Sequence, residues 1–174
     1  MSHRINRRRF LAGTAAAATT LAAARPACAA APRAARLQTR VLGANVRFVE
    51  QSFLRPLIIS SGAITKITEA VAEVTVRVDG REATGRGSIY LSDLWAWPEP
   101  SLEHAERDKR LRALCEEIAS RLDALCGGEA AHPLELGLRL HDSMGRETSP
   151  PVLARDMCAS PFDAAIHDAA GIAL

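Results

Sequence analysis

Aromatic residues are scarce: four Phe, two Trp and one Tyr in 174 positions. Stacked rings therefore cannot build the interior, and packing must rest on aliphatic side chains and alanine. There is no C-x-x-C pair, which leaves zinc knuckles and dithiol redox motifs without support. G-x-S-x-G, P-loop and H-E-x-x-H patterns are also missing. His104, His132, His141 and His167 never fall four apart on one helix, so the histidines give no metal-ligand pattern. No run of ~20 strongly apolar residues occurs, so a spanning helix is not expected. No repeat or low-complexity stretch follows the first 31 residues.

Those 31 residues lack acid entirely but carry five arginines: Arg4, Arg7, Arg8, Arg9 and Arg25. Without them the formal charge falls from +2 to −3, so the remainder gives no electrostatic case for nucleic acid. Asn6-Arg7-Arg8-Arg9-Phe10-Leu11 fits the twin-arginine export pattern, with Arg7 and Arg8 as the pair. A mildly apolar run, residues 11–24, follows, and then small-residue cleavage sites ending at Ala29 or Ala31. The expectation is a signal peptide over residues 1–31, export to the periplasm or beyond, and membrane contact only in transit. A basic tail for an acidic surface is the plainer alternative. A lipid anchor on Cys28 is weakened by Arg25, which stands where a large apolar residue is wanted.

Residues 32–40 read as a polar linker. A strand is expected near residues 45–53. Residues 54–66 carry Pro56, Ser60, Ser61 and Gly62, which is loop chemistry, although Leu57, Ile58 and Ile59 make the stretch unusually apolar. Over residues 67–78, Ala70, Ala72, Val74, Val76 and Val78 alternate with Glu69, Val71, Glu73, Thr75 and Arg77, the period of a half-buried strand. Asp79-Gly80 signals a tight hairpin, and the return strand runs over residues 81–90. Gly85 and Gly87 within it predict a bulge or a close backbone approach. A proline-ended loop then carries Trp95 and Trp97, and Ser101 is the expected cap of a long helix. Its apolar stripe is Leu111, Leu114, Cys115, Ile118, Leu122, Leu125 and Cys126, and Gly127-Gly128 closes it. Cys115 and Cys126 share one face and read as small buried residues. A shorter helix is expected over residues 133–143. A last one begins near residue 151 and restarts at Ser160-Pro161-Phe162-Asp163. The fold class is α+β: a three-stranded antiparallel meander followed by three or four helices.

In this order the residues resemble a known family. Strand, apolar Ser-Gly loop, strand, Asp-Gly turn and Gly85-x-Gly87 look like the N-terminal capping domain of the enolase superfamily, in its mandelate racemase/muconate lactonizing branch. Ala159-Ser160-x-x-Asp163-x-Ala165-x-x-Asp168-x-x-Gly171 is similar to the helix that leads from that domain into the barrel. The resemblance covers residues 41–174. Ser88, His167 and Ile172 depart from the Glu, Trp and Lys common in the family.

The resemblance implies an enzyme that removes a proton next to a carboxylate with Mg²⁺ holding the enediolate, of sugar-acid dehydratase, racemase or cycloisomerase type. Metal ligands and bases of that family sit on barrel strands, which would follow Leu174. No catalytic or metal residue is therefore carried onto this chain, and Mg²⁺ is expected only in a full-length parent. The implied partners are a barrel in the same or a separate chain, a small carboxylate substrate and a second copy of the chain. The family's two lid loops fall on residues 54–64 and 90–98, with Leu57, Ser60, Ile64, Tyr90, Asp93, Trp95 and Trp97 as substrate-capping candidates. The plainer readings give both tryptophans to the domain's own core and make Asp163 and Asp168 cap and interface residues. The alternative function is a non-catalytic module that pairs with itself or with a separate barrel protein.

Overall fold

A computed structural model describes residues 37–59, 62–146 and 148–174. The expected signal peptide, with Arg7 and Arg8, lies outside them, as does Ser60. Three strands, β1 (Thr39–Ile59), β2 (Gly62–Val78) and β3 (Arg81–Tyr90), form one antiparallel sheet in the order β1-β2-β3. Four helices follow: α1 (Asp93–Ala96), α2 (His104–Leu125), α3 (Pro133–Gly145) and α4 (Val152–Ala173). The α+β meander-then-helices expectation is met.

The alternation in β2 sets the core. Ala70, Ala72, Val74, Val76 and Val78 are buried on the face that meets the helices. Asp79 and Gly80 turn the chain with φ of 46° and 88°, the positive values that a tight hairpin needs. From α2, Leu111, Cys115, Ile118 and Leu122 complete the apolar layer. That helix stops where Gly127 and Gly128 take φ of 96° and 68°, and the Gly128 amide reaches back to the Asp123 carbonyl at 2.8 Å.

Four expectations need correction. The linker does not reach residue 40: β1 begins at Thr39, which exchanges two backbone hydrogen bonds with Ala131 at 2.9 and 3.0 Å. The apolar segment 54–59 is strand, because its backbone finds partners in β2: Leu57 pairs with Ile64 and Ile58 with Ala63. Pro56 has no N–H to give, and it falls in the register break between Ser52 and Leu57. Ser101 is not a helix cap. Its amide and hydroxyl both donate to the Glu99 carboxylate, at 3.1 and 2.8 Å, and α2 starts at His104. Those two bonds hold the Glu99 carboxyl below the usual range. Finally, Ser160 does not restart a helix. α4 runs unbroken past Pro161, and the Ser160 hydroxyl donates back to the Asp156 carbonyl at 2.7 Å.

Packing explains that last result. Pro161 is costly inside a free helix because it lacks an N–H. Here α4 lies pressed on β3, with Phe162, Ala165, Ile166 and Ala169 all inaccessible. Each buried large side chain contributes about 1.5–3 kcal/mol, enough to offset the local defect. The close approach depends on the two glycines. A Cβ on Gly85 would lie 2.1 Å from the Ala169 nitrogen, and one on Gly87 would lie 2.1 Å from the Pro161 carbonyl oxygen. Pairing of β2 with β3 runs through both glycines without a register shift, so they mark backbone approach rather than a bulge. The Asp168 carboxylate then accepts from the Arg86 amide at 2.8 Å, fastening the helix to the strand.

Candidate functional site

The outer ends of β1 and β2 form an apolar arm. Pro56 and the register break leave residues 53–56 opposite a single residue of β2, so the strand bows outward there. Leu54 and Ile58 are fully or largely exposed, and Phe53 and Leu57 are about half exposed. Beside the arm, Ile64, Lys66 and Ile67 face Leu91, Asp93, Leu94 and His104 across a cleft of about 310 Å³.

The wall opposite β2 is held by a buried ion pair. Asp93, at 4% exposure, accepts from the Arg107 guanidinium at 2.9 Å and meets His104 Nδ1 at 3.0 Å. Arg107 also donates to the carbonyls of Glu99, at 2.8 Å, and Leu102. One buried cation thus ties the segment between β3 and α2 into a fixed shape. Below it, the Thr68 hydroxyl donates to Asp108 at 2.8 Å, and Arg112 bonds both groups while lying over the Phe48 ring at 5.2 Å. The start of α2 is thereby locked to the sheet.

The sequence candidates separate on this frame. Leu57 and Ile64 sit opposite one another on the arm, and Ile64 and Asp93 line the cleft. Tyr90 and Trp95 are exposed, at 53% and 63%. Trp97 is turned into the core at 5% exposure, with Arg110 over its ring at 5.9 Å. It is therefore a packing residue, as one of the plainer readings had it. Asp93 is spent on Arg107 and His104 and presents no free carboxylate. Sequence reasoning missed Lys66, His104 and Arg107. Nothing in the local sequence marks them, because their partners lie on other elements.

A second polar group joins α3 to α4. His141 Nδ1 lies 3.2 Å from Asp156, and its Nε2 is 3.7 Å from Asp163. His167 Nε2 is 3.3 Å from the other Asp163 oxygen. Asp163 is thus an interface residue, packed where a Cβ on Gly137 would meet its carboxylate at 2.1 Å. Among the described residues, no three His, Cys, Asp or Glu side chains converge as a metal ion requires. The described residues therefore do not fit a magnesium site, and no magnesium-dependent step is assigned to them.

No family model matches the sequence, and no curated protein matches it. Solved structures do match. One is an enolase from Bradyrhizobium complexed with magnesium and mandelic acid, 23% identical with a TM-score of 0.50, over 78% of this chain and 32% of that one. Another is a mandelate racemase/muconate lactonizing enzyme-like protein from Rubrobacter xylanophilus, at 16% identity and TM-score 0.40, over 73% of this chain and 29% of the other. A third is an enolase from alpha proteobacterium bal199 with bound magnesium, at 14% and 0.40, over 70% and 30%. The likeness to the Bradyrhizobium enolase is one of fold. This chain has the architecture of one part of such an enzyme and spans 32% of its length.

Proposed function

We propose that this chain is the capping, substrate-selecting part of an exported enzyme of the mandelate racemase/muconate lactonizing branch of the enolase superfamily. The parent removes the α-proton of a small carboxylate substrate with Mg²⁺ as cofactor. The reaction is a sugar-acid dehydration, racemisation or cycloisomerisation, and this chain alone does not turn over substrate. The observation that carries the reading is the apolar arm beside a braced cleft. Leu54, Leu57, Ile58, Tyr90 and Trp95 are exposed, on the two segments that the resemblance assigns to the family's lid. Apolar side chains beside a cleft suit a lid that excludes water and selects a substrate. Export rests on Arg7 and Arg8, and a barrel in the same or another chain supplies the acids and bases.

The purified 174-residue chain, given Mg²⁺ and a panel of α-hydroxy and sugar acids in D₂O, should show no α-proton exchange by NMR. Exchange by the chain alone would overturn the reading. DNA read past codon 174 should continue into, or lie beside, a frame with a Lys-x-Lys strand and spaced Asp/Glu strand ends. For export, residues 1–40 fused to a folded reporter should cross the inner membrane, and Arg7→Lys with Arg8→Lys should stop it. A second reading, a self-pairing module, is favoured by Leu134 and Leu138, which lie one turn apart and more than 60% exposed on α3. Sedimentation of the full chain decides that point: a stable dimer supports it and a monomer removes it.

A further inference from the structure

Three cysteines lie among the described residues, all buried as thiols. Two are neighbours across the interface of α2 and α4. The Cys158 thiol points at the Leu111 carbonyl, one turn before Cys115 on α2, at 3.6 Å. The Cys115 thiol points back at the Cys158 carbonyl at 4.0 Å. Each sulfur therefore lies against the other residue's helix. Both residues are at 0% exposure, in an interface otherwise made of apolar groups.

We propose that Cys115 and Cys158 are a disulfide-forming pair that staples α2 to α4 when the chain folds in the presence of a disulfide oxidant. Neither the export reading nor the capping reading is needed for this. Cys126 is excluded as a partner. It sits past the end of α2, where its carbonyl accepts from the Arg139 guanidinium at 3.4 Å, and burial first of all pushes its thiol up to about 12.

The chemistry balances in two exchanges with a small disulfide R′–S–S–R′. One cysteine, as thiolate, attacks a sulfur of the oxidant. The oxidant's S–S bond breaks, one R′S⁻ leaves, and it takes up the proton given by the cysteine. The second cysteine then attacks the mixed disulfide, forming the Cys115–Cys158 bond and releasing a second R′SH. Two electrons pass to the oxidant and two protons to its thiolates. Contact with Cys115 and burial both hold the Cys158 thiol well above its usual range, so thiolate is scarce in the folded chain. Exchange on folded protein is therefore slow and waits for α2 to part from α4, whereas during folding it is fast.

The test refolds the full chain from urea with reduced and oxidised glutathione, quenches with N-ethylmaleimide and digests with trypsin. Cleavage after Arg112, Arg121 and Arg155 puts Cys115 in residues 113–121 and Cys158 in residues 156–174. These two peptides should appear linked, in most of the molecules. Already folded protein, given the same oxidant, should link at least tenfold more slowly. Because the bond closes a long loop, reduction should lower the Tm by roughly 10 °C. A Cys28→Ser, Cys126→Ala chain should behave alike, and should it fail to fold, the unmutated chain still gives the peptide map. Recovery of Cys115 and Cys158 as alkylated thiols, linkage chiefly to Cys28 or Cys126, or a Tm indifferent to reductant would each overturn the proposal.

Discussion

Gly85 offers the sharpest test of how α4 sits on the sheet. An alanine there would put its Cβ 2.1 Å from the Ala169 nitrogen, 2.5 Å from the Ala165 oxygen and 2.7 Å from the Ala169 Cα. All three are backbone atoms, so no side chain can rotate away. Restoring ordinary contact needs α4 to retreat by about 1 Å, and a gap of that size forfeits about a quarter to a half of each dispersion contact along it. Phe162, Ala165, Ile166 and Ala169 all share the affected interface. The cost falls at the upper end of overpacking penalties, about 3 kcal/mol. That is a large share of a total stability of about 5–15 kcal/mol. With a urea slope near ~2 kcal/mol/M, the unfolding midpoint should fall by about 1.5 M in circular dichroism titrations of the full chain. Gly171→Ala is the matched control. It lies on the same helix with nothing within 4 Å of its Cβ position, and it should gain about 0.5 kcal/mol from helix propensity alone. If Gly85→Ala and Gly171→Ala shift the midpoint equally, the close approach of α4 to β3 is wrong.

Other outcomes follow from single observations. Arg107→Met leaves Asp93 buried without its cation and should cost about 3–5 kcal/mol, with faster hydrogen exchange over residues 91–102. Trp97→Ser should cost about 3–5 kcal/mol in thermal melts, whereas Trp95→Ser should stay within about 0.5 kcal/mol, since only the first ring is packed. Alkali should weaken the fold in a calculable way. Cys126 in the folded chain is raised to about 12 from 9.0, so above pH 9 the unfolded chain loses a proton that the folded chain keeps. Stability is then fully present below pH 9 and falls by about 1.4 kcal/mol per pH unit from there toward 12. Cys158 adds to the slope in the same direction. Urea midpoints taken with reductant at pH 8, 9 and 10 give the slope, and Cys126→Ala should flatten it.

The arm and the two tryptophans show where local reading stops. Leu57, Ile58 and Ile59 stand out in the sequence as apolar residues amid Pro56, Ser60, Ser61 and Gly62. The strand they occupy was not legible, because extended pairing there depends on which residues of β2 come opposite. Trp95 and Trp97 are two apart with the same side chain. Their opposite fates follow from the one turn of α1, which sends Trp95 outward and Trp97 beneath Arg110. The brace of Asp93 by Arg107 spans 14 positions and leaves no periodic trace.

Local chemistry in the chain itself determined the alternation of β2, the Asp79-Gly80 turn, the apolar stripe of α2 and its glycine stop. Each depends on neighbours within a few residues, where steric limits on φ and side-chain period act directly. Tertiary structure alone decided that Pro161 stays inside a helix, that the arm is strand, and that Trp97 and Asp93 turn inward. In each case, contacts between distant elements supplied more free energy than the local preference withheld. Such contacts exist only once the elements concerned have come together.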